Sequence, residues 1–461
     1  MPFYLFESIL GRDAIKRLGD ETGKVDRLSS LPDSLLDEIL LNLPTKDVVR
    51  TSVLSSRWRN QWRFVPRLDL DYKDFSEFDA FVSFVDSFLG FNSESCLPSV
   101  RLKYGKPEPD PDPDAAIIRR WINILVKRKV KHLHVLDRSW NNTDRLHIPP
   151  TVYTCESLVT LKLQSVLLAN PPELISLPCL KVIELEYVEC GNDSLAFQVL
   201  ISGCPVLESL VIGRSLCDDT QVLRVLSKSL LSFTHTADSD DTVEDLTVAI
   251  DAPKLEYLRL SDHRVASFIL NNLVSLVKAD IDIVFDLTSG KVFDPNDLQK
   301  RSMIRKFLVG ISNVNDLTIS SSTLEVIYDY SRCEQLPLYR NLSFLRVEFG
   351  DYQWEMLPVF LESCPNLKSL VVGSHYDQVE GNDILFEPRS YLSSLEYVEI
   401  QRPLKGEAKE MELVSYLLEY SKILKNLTLC LDDSIKNEES VILREILNIP
   451  RLSSSCQVVV L

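Results

Sequence analysis

His132 and His134 stand two residues apart, and on a strand residues at that spacing face the same side, where two imidazoles could begin a metal site. A zinc site needs at least a third ligand, and none accompanies them. Cys204 and Cys364 each precede a proline in two closely similar phrases, "SGCPVLESLVIG" at 202–213 and "ESCPNLKSLVVG" at 362–373. Thiolates bind metals or carry redox chemistry. Here no partners stand at zinc spacing and none of the ten cysteines forms C-x-x-C, so both read as small buried residues beneath a turn. "GDETGK" at 19–24 resembles a phosphate loop, but only three residues separate its glycines and Val25 replaces the metal-binding hydroxyl residue. "KRKVKH" at 127–132 reads as a solvated helix end. G-x-S-x-G and H-E-x-x-H are both absent. The chain therefore reads as a non-enzyme, with no catalytic residue, no metal site and no cofactor.

If chemistry is absent, the chain must act by holding other molecules. Its formal net charge of −17 argues against nucleic acid as the partner, because phosphate binding needs a basic face. No apolar run reaches a membrane span. The N-terminus is only briefly apolar, with Glu7 where a secretory signal would be purely apolar. These features place the protein in the cytoplasm, the nucleus or both.

The elements that would do the holding repeat. The pattern apolar-x-x-apolar-x-apolar recurs as Leu97/Val100/Leu102, Leu158/Leu161/Leu163, Leu180/Ile183/Leu185, Leu207/Leu210/Ile212 and onward to Leu424/Leu427/Leu429, with weaker copies near Leu230 and Leu273. Several copies begin about 22 to 29 residues apart, the period of leucine-rich repeats. The last two apolar residues of each copy share one face of a strand, and one such strand buries little unless neighbours stack on it. The spacing predicts an α/β fold: an irregular leucine-rich-repeat solenoid with a parallel sheet on its concave side. Pro205 and Pro365 mark helix ends just before two of the strands. "KPEPDPDPDAA" at 106–116 is the clearest loop.

Near the front, "LPDSLLDEILLNLPTKDVVRTSVLSSRWRNQW" at 31–62 has a different period. Pro32 suits a helix start, and Leu35, Ile39 and Leu43 follow at i, i+4 and i+8, with Leu36 and Leu40 widening the stripe. Pro44 ends that helix. Thr45 is positioned to cap a second one carrying Val48 and Val49, and Ser55 or Ser56 to cap a third holding Trp58 and Trp62. Three helices this short need their apolar surface completed by the rest of the chain or by a partner. From Lys24 to Arg67 eight basic residues face five acids, a net +3 against −20 elsewhere. Such a patch either suits an acidic partner and speeds encounter or merely solvates the surface.

Residues 27–67 resemble the plant form of the F-box. The resemblance implies that Leu31, Pro32, Leu35, Leu36, Ile39, Leu40, Leu43, Pro44, Val48 and Val49 meet the Skp-family adaptor of cullin-based ubiquitin ligases. It also implies that Trp58 and Trp62 join the box to the repeats. Residues 386–431 are similar to the FBD domain of plant F-box proteins, with Leu395, Glu396, Val398, Gly406, Glu412, Leu413 and Leu427 in place. The usual Val-Pro step is replaced by "RSYL". Residues 177–213 also resemble the repeats of that family. The expected organisation is a tail over 1–24, an F-box over 25–70, a solenoid over 71–380, and an FBD over 381–461 that extends and caps the solenoid. The expected role is substrate recognition in a Skp–cullin–F-box ligase, with an unknown target protein on the repeats. The rival readings are a leucine-rich-repeat scaffold outside any ligase and a small-molecule-sensing receptor.

Overall fold

Apolar residues two apart become the inward rows of parallel strands. The computed structural model describes residues 31–91, 96–105, 115–138, 146–172, 175–190, 195–213, 222–237, 246–263, 267–285, 293–349, 356–374, 391–432 and 439–461. The expected tail over 1–24, "GDETGK" and most of the acidic proline loop lie outside them. The chain divides into two units, residues 1–220 and 221–461.

In the first unit the strands Arg67–Asp71, Ser99–Tyr104, His132–Asp137, Thr160–Gln164, Val182–Glu186 and Ser209–Gly213 lie side by side in chain order, all parallel. Their registers align Leu70, Leu102, Val135, Leu163, Leu185 and Ile212 in one inward row, each at most 2% exposed. Burying each of these side chains stabilises the stack by roughly 1.5–3 kcal/mol. Parallel neighbours require crossovers. The helices Phe78–Gly90, Ala115–Lys127 and Ala196–Ser202 supply some of them. Short extended pieces at His147–Ile148, Leu167–Leu168 and Glu189–Cys190 pair as a second small sheet.

The second unit repeats this plan with strands Ser232–Thr236, Tyr257–Ser261, Lys278–Asp282, Asp316–Ile319, Phe344–Phe349, Ser369–Ser374, Tyr397–Leu404, Asn426–Leu431 and Gln457–Val460. Leu258, Ala279, Leu317, Leu345, Leu370, Val398 and Leu427 form one continuous inward row. The FBD region therefore adds strands to the repeat sheet instead of folding apart from it. The helix Ala408–Tyr420 makes the crossover, burying Leu413, Val414, Tyr416, Leu417 and Leu418. "CQVVVL" supplies the last strand, paired with Asn426–Leu431. A second sheet in this unit, Val222–Leu226, Thr247–Asp251 and Ser267–Asn271, was not foreseen from the repeat phrase. The helix Leu298–Gly310, which fills the longest gap between repeats, packs against its strand Ser267–Asn271, whereas Ser321–Ser331 packs against the main-sheet strands Lys278–Asp282 and Phe344–Phe349.

The box itself departs from three α-helices. Asp33–Leu41 and Thr45–Arg50 are α-helical, and Thr51–Val53 and Trp58–Arg63 are 3-10 turns. Pro44, not Thr45, is the residue before the second helix. The Thr45 hydroxyl instead accepts a hydrogen bond from the Asp69 backbone N–H at 2.7 Å, tying the box to the first strand. Arg57, not a serine, precedes the Trp58 turn, and no side chain caps it. Segments this short cannot sustain an α-helix by propensity, so packing of the tryptophans sets the geometry.

Candidate functional site

The first helix carries two stripes, each made by residues one turn apart. Leu36 and Leu40 point inward and are fully buried, whereas Leu35 and Ile39 point outward at 44% and 38% exposure. Pro32 and Pro44 are exposed, and Leu31 and Leu43 are half-buried. Val48 and Val49 are buried in the chain's own core. The residues that the F-box resemblance assigns to one contact are thus divided by the fold. Leu31, Pro32, Leu35, Ile39, Leu43 and Pro44 remain accessible to another molecule. Leu36, Leu40, Val48 and Val49 hold the helices in place.

Leu41, Leu54 and Phe64 add exposed apolar surface to the same segment, with Phe64 65% exposed. The sequence reading missed them because none falls on the i, i+4 stripe. Each also stands beside another apolar residue, Leu40, Val53 or Val65, so the local sequence gave no signal of which one faces outward. Several of the segment's cations are neutralised locally: Arg57 pairs with Asp33, Arg50 with Asp47, Lys46 with Asp74 and Arg67 with Asp69. Exposed pairs of this kind contribute little stability.

Trp62 is 4% exposed and packs among aromatic residues beyond the box. Its ring centroid lies 5.9 Å from Phe84, 6.1 Å from Phe88 and 5.7 Å from Phe91. Arg63 sits over Phe91, 4.4 Å from the ring centroid. Trp58 is 2% exposed. This aromatic cluster links the box to the helix Phe78–Gly90, while the buried Leu36 and Leu40 anchor the helix that carries the outward stripe.

Between the inward residues, every second strand position faces outward. In the first unit this face aligns Asp69, Arg101, His134, Lys162 and Glu184. Arg101 donates through Nε to Nδ1 of His134 at 3.2 Å, and Lys162 pairs with Glu184 at 2.7 Å. Burial first, and then the charges of Arg101 and Lys162, push the His134 pKa down. His132 meets the Thr160 hydroxyl at 3.1 Å. Among the described residues, no group of three or more His, Cys, Asp or Glu stands where it could hold a metal ion. Cys204 and Cys364 are buried, their thiols donating to the carbonyls of Leu200 and Phe360. Burial pushes the Cys204 thiol up to about 12 and Cys364 up as well.

In the second unit the outward face holds a polar cavity of about 530 Å3. Arg259, Asp280, Thr318 and Arg346 form one row across it, with Asp282 and Glu348 beside them. Burial opposes ionisation of Asp282, but hydrogen bonds from His263, Ser320 and Ser261 outweigh it and draw the carboxyl down to about 2. Asp280 is pushed up, chiefly by burial. No helix among the described residues is long and apolar enough to cross a membrane.

Comparison with known proteins assigns families to these parts. Residues 28–69 match the F-box domain, residues 386–429 match the FBD, and residues 118–279 match the model described as "FBD-associated F-box protein At5g56370, LRR repeats". An F-box/FBD/LRR-repeat protein of Arabidopsis thaliana, At1g78750, is 63% identical over 95% of this chain and 97% of its own length. F-box/LRR-repeat protein 13 of the same plant is 64% identical over 95% of this chain and 97% of its own. The FBD-associated F-box protein At4g13985 is 57% identical over 98% of both. With an F-box that carries an outward apolar stripe, parallel repeat strands in each unit and FBD strands extending the sheet of the second, the chain belongs to the plant F-box/FBD/LRR-repeat protein family.

Proposed function

We propose that this protein is the non-catalytic substrate-recognition subunit of a Skp–cullin–F-box ubiquitin ligase. Its box docks on a Skp-family adaptor and, through it, a cullin scaffold, while its repeats hold a target protein. The reaction is promoted by proximity, with ubiquitin transfer supplied by other subunits. The exposure of Leu35 and Ile39 beside the buried Leu36 and Leu40 carries this reading. Apolar side chains held outward on a supported helix lose water only when a partner covers them. Leu31, Pro32, Leu43 and Pro44 complete the contact, and Leu36, Leu40, Val48 and Val49 shape it from beneath.

The second-unit cavity bears on the rival sensor reading. Small-molecule sites are mostly apolar with a few polar groups. This cavity is lined by Arg259, Asp280, Asp282, Arg346 and Glu348, a lining that suits polar side chains of a protein target. The scaffold reading differs in requiring no adaptor complex.

Covering Leu35 and Ile39 is worth about 3–5 kcal/mol together. The variant Leu35→Ala/Ile39→Ala is expected to bind a recombinant Skp-family adaptor at least a hundredfold more weakly by calorimetry, with unchanged circular dichroism. Leu36→Ala is expected to destabilise the box itself. Full adaptor affinity in the folded double variant would overturn the assignment.

A further inference from the structure

The main sheet of the second unit finishes on Gln457–Val460, which pairs with Asn426–Leu431 on one side. Among the described residues, no strand pairs with its other side and no helix packs along it. Its register sets Val458 and Val460 beside Leu427 and Leu429. Those leucines are fully buried, whereas the two valines are only half-buried. Val459, on the outward face, is 38% exposed, and Leu461 just beyond is 76% exposed. Stacked repeats ordinarily finish on a polar cap, because an unstacked repeat leaves its apolar row in water. Folded proteins also blunt open strand edges with charges. The stretch "CQVVVL" carries no charge at all.

The direction of the backbone groups defines what could cover this edge. Gln457 donates its N–H to the Lys425 carbonyl, and Leu461 donates to that of Leu429. Backbone groups of successive strand residues point to opposite sides, so the N–H and C=O of Val458 and Val460 face the open side. The Cys456 carbonyl faces it too, but the Arg451 guanidinium donates to it at 3.1 Å and blunts only the start of the edge. A strand laid antiparallel can place its own residues opposite Val458 and Val460 and exchange both hydrogen bonds with each. A second copy of this chain does so when Val458 of one meets Val460 of the other. That register puts Val459 opposite itself and keeps the inward faces of both copies on the same side of the sheet. No like charges on the paired strands are brought together. The contact uses the same surface on both copies, so it closes at two.

We propose that two copies of this chain pair through Gln457–Val460, antiparallel about a two-fold axis at Val459, so that their repeat sheets join into one. Main-chain hydrogen bonds would form at Val458 and Val460 of each copy. The same valines would carry the apolar layer of one copy into the next, removing from water what the last repeat leaves open. The contact uses no residue of the box, so it and the adaptor contact can each fail without the other.

The test is sedimentation equilibrium of the full-length chain over a wide range of concentration. A reversible monomer–dimer equilibrium is expected. Val459→Lys sets like charges across the axis and should weaken dimerisation at least about tenfold. Val459→Glu alone should do the same, and an equimolar mixture of the two variants should regain dimers, because residue 459 meets its own copy. Val460→Pro removes an N–H from the open side while sparing the ladder to Asn426–Leu431, and it too should weaken dimerisation. Circular dichroism and adaptor binding should be unchanged in the folded variants. A parent chain that stays monomeric, leaving the edge to a strand of some other protein, would overturn the proposal. So would an assembly that grows past the dimer, full dimerisation of the Val459→Lys variant, or no recovery in the mixture.

Discussion

His235 occupies an inward position that elsewhere in the sheet holds leucine, isoleucine or valine, paired in register with Leu260. It is fully buried, and its Nε2 lies 2.9 Å from Oδ2 of the equally buried Asp262. This pair explains why the copy of the repeat near Leu230 is weak: a polar residue fills the last apolar slot and brings its own partner from the adjacent repeat. The sequence could not show it, because Asp262 is 27 residues away and nothing local announces the contact. Breaking a buried pair leaves one group without compensation, at about 3–5 kcal/mol. Asp262→Ala should therefore lower unfolding stability by that order in urea titration, whereas His235→Leu/Asp262→Leu should recover much of the loss. Equal stability of the single variant and the parent chain would show that the pair carries no such role.

At the scale of single elements, the FBD turn shows how much a motif can hide. Gly406 lies at φ 79°, a left-handed conformation that side-chain-bearing residues rarely adopt, and an added Cβ would lie 2.7 Å from Ile442 side-chain atoms. Immediately after it Glu407 and Glu410 form a capping box at the start of Ala408–Tyr420. The buried Glu410 carboxylate accepts from the backbone N–H groups of Lys405 at 2.8 Å and Glu407 at 3.1 Å. Family resemblance pointed to Gly406 but supplied no reason for it, and it did not single out Glu410. Losing the cap costs about 1–2 kcal/mol, and a left-handed alanine costs a similar amount before its clash is counted. Glu410→Ala and Gly406→Ala are each expected to lower the melting temperature in calorimetry, Gly406→Ala by more. The strands of the main sheet were legible because they bury one face and alternate strictly. The small sheet Val222–Leu226, Thr247–Asp251 and Ser267–Asn271 alternates too, but it falls between copies of the repeat phrase and was masked by them.

On the scale of the whole molecule, the outward stripe of the box could be seen in the sequence only as half of a wider one. Leu35, Leu36, Ile39 and Leu40 have the same chemistry, and only packing decides which pair is covered. The repeat order, by contrast, was readable because each strand needs only its neighbour. That dependence on neighbours has a direct test. Val398 and Ile400 of the FBD cover Leu370 and Val372 in adjacent register, and all four are at most 4% exposed. A chain ending near Glu387 should leave that row open to water and so aggregate or lose cooperative unfolding. A monomeric truncated protein with an unchanged transition would mean that the FBD strands stabilise nothing beyond themselves.

The alternation along each strand has one more consequence. Leu258 and Leu260 are fully buried, while Arg259 between them reaches into the polar cavity of the other face. Under the proposed function, whether the chain folds and what it grips are therefore written on different residues, interleaved one by one. Substitutions at outward positions away from special contacts typically change stability by less than about 0.5 kcal/mol. Such a sheet can exchange its gripping side chains in small steps, each variant still folded and still tested by whatever it meets. A plant carrying many copies of this architecture holds, in effect, one frame with a rewritable inscription.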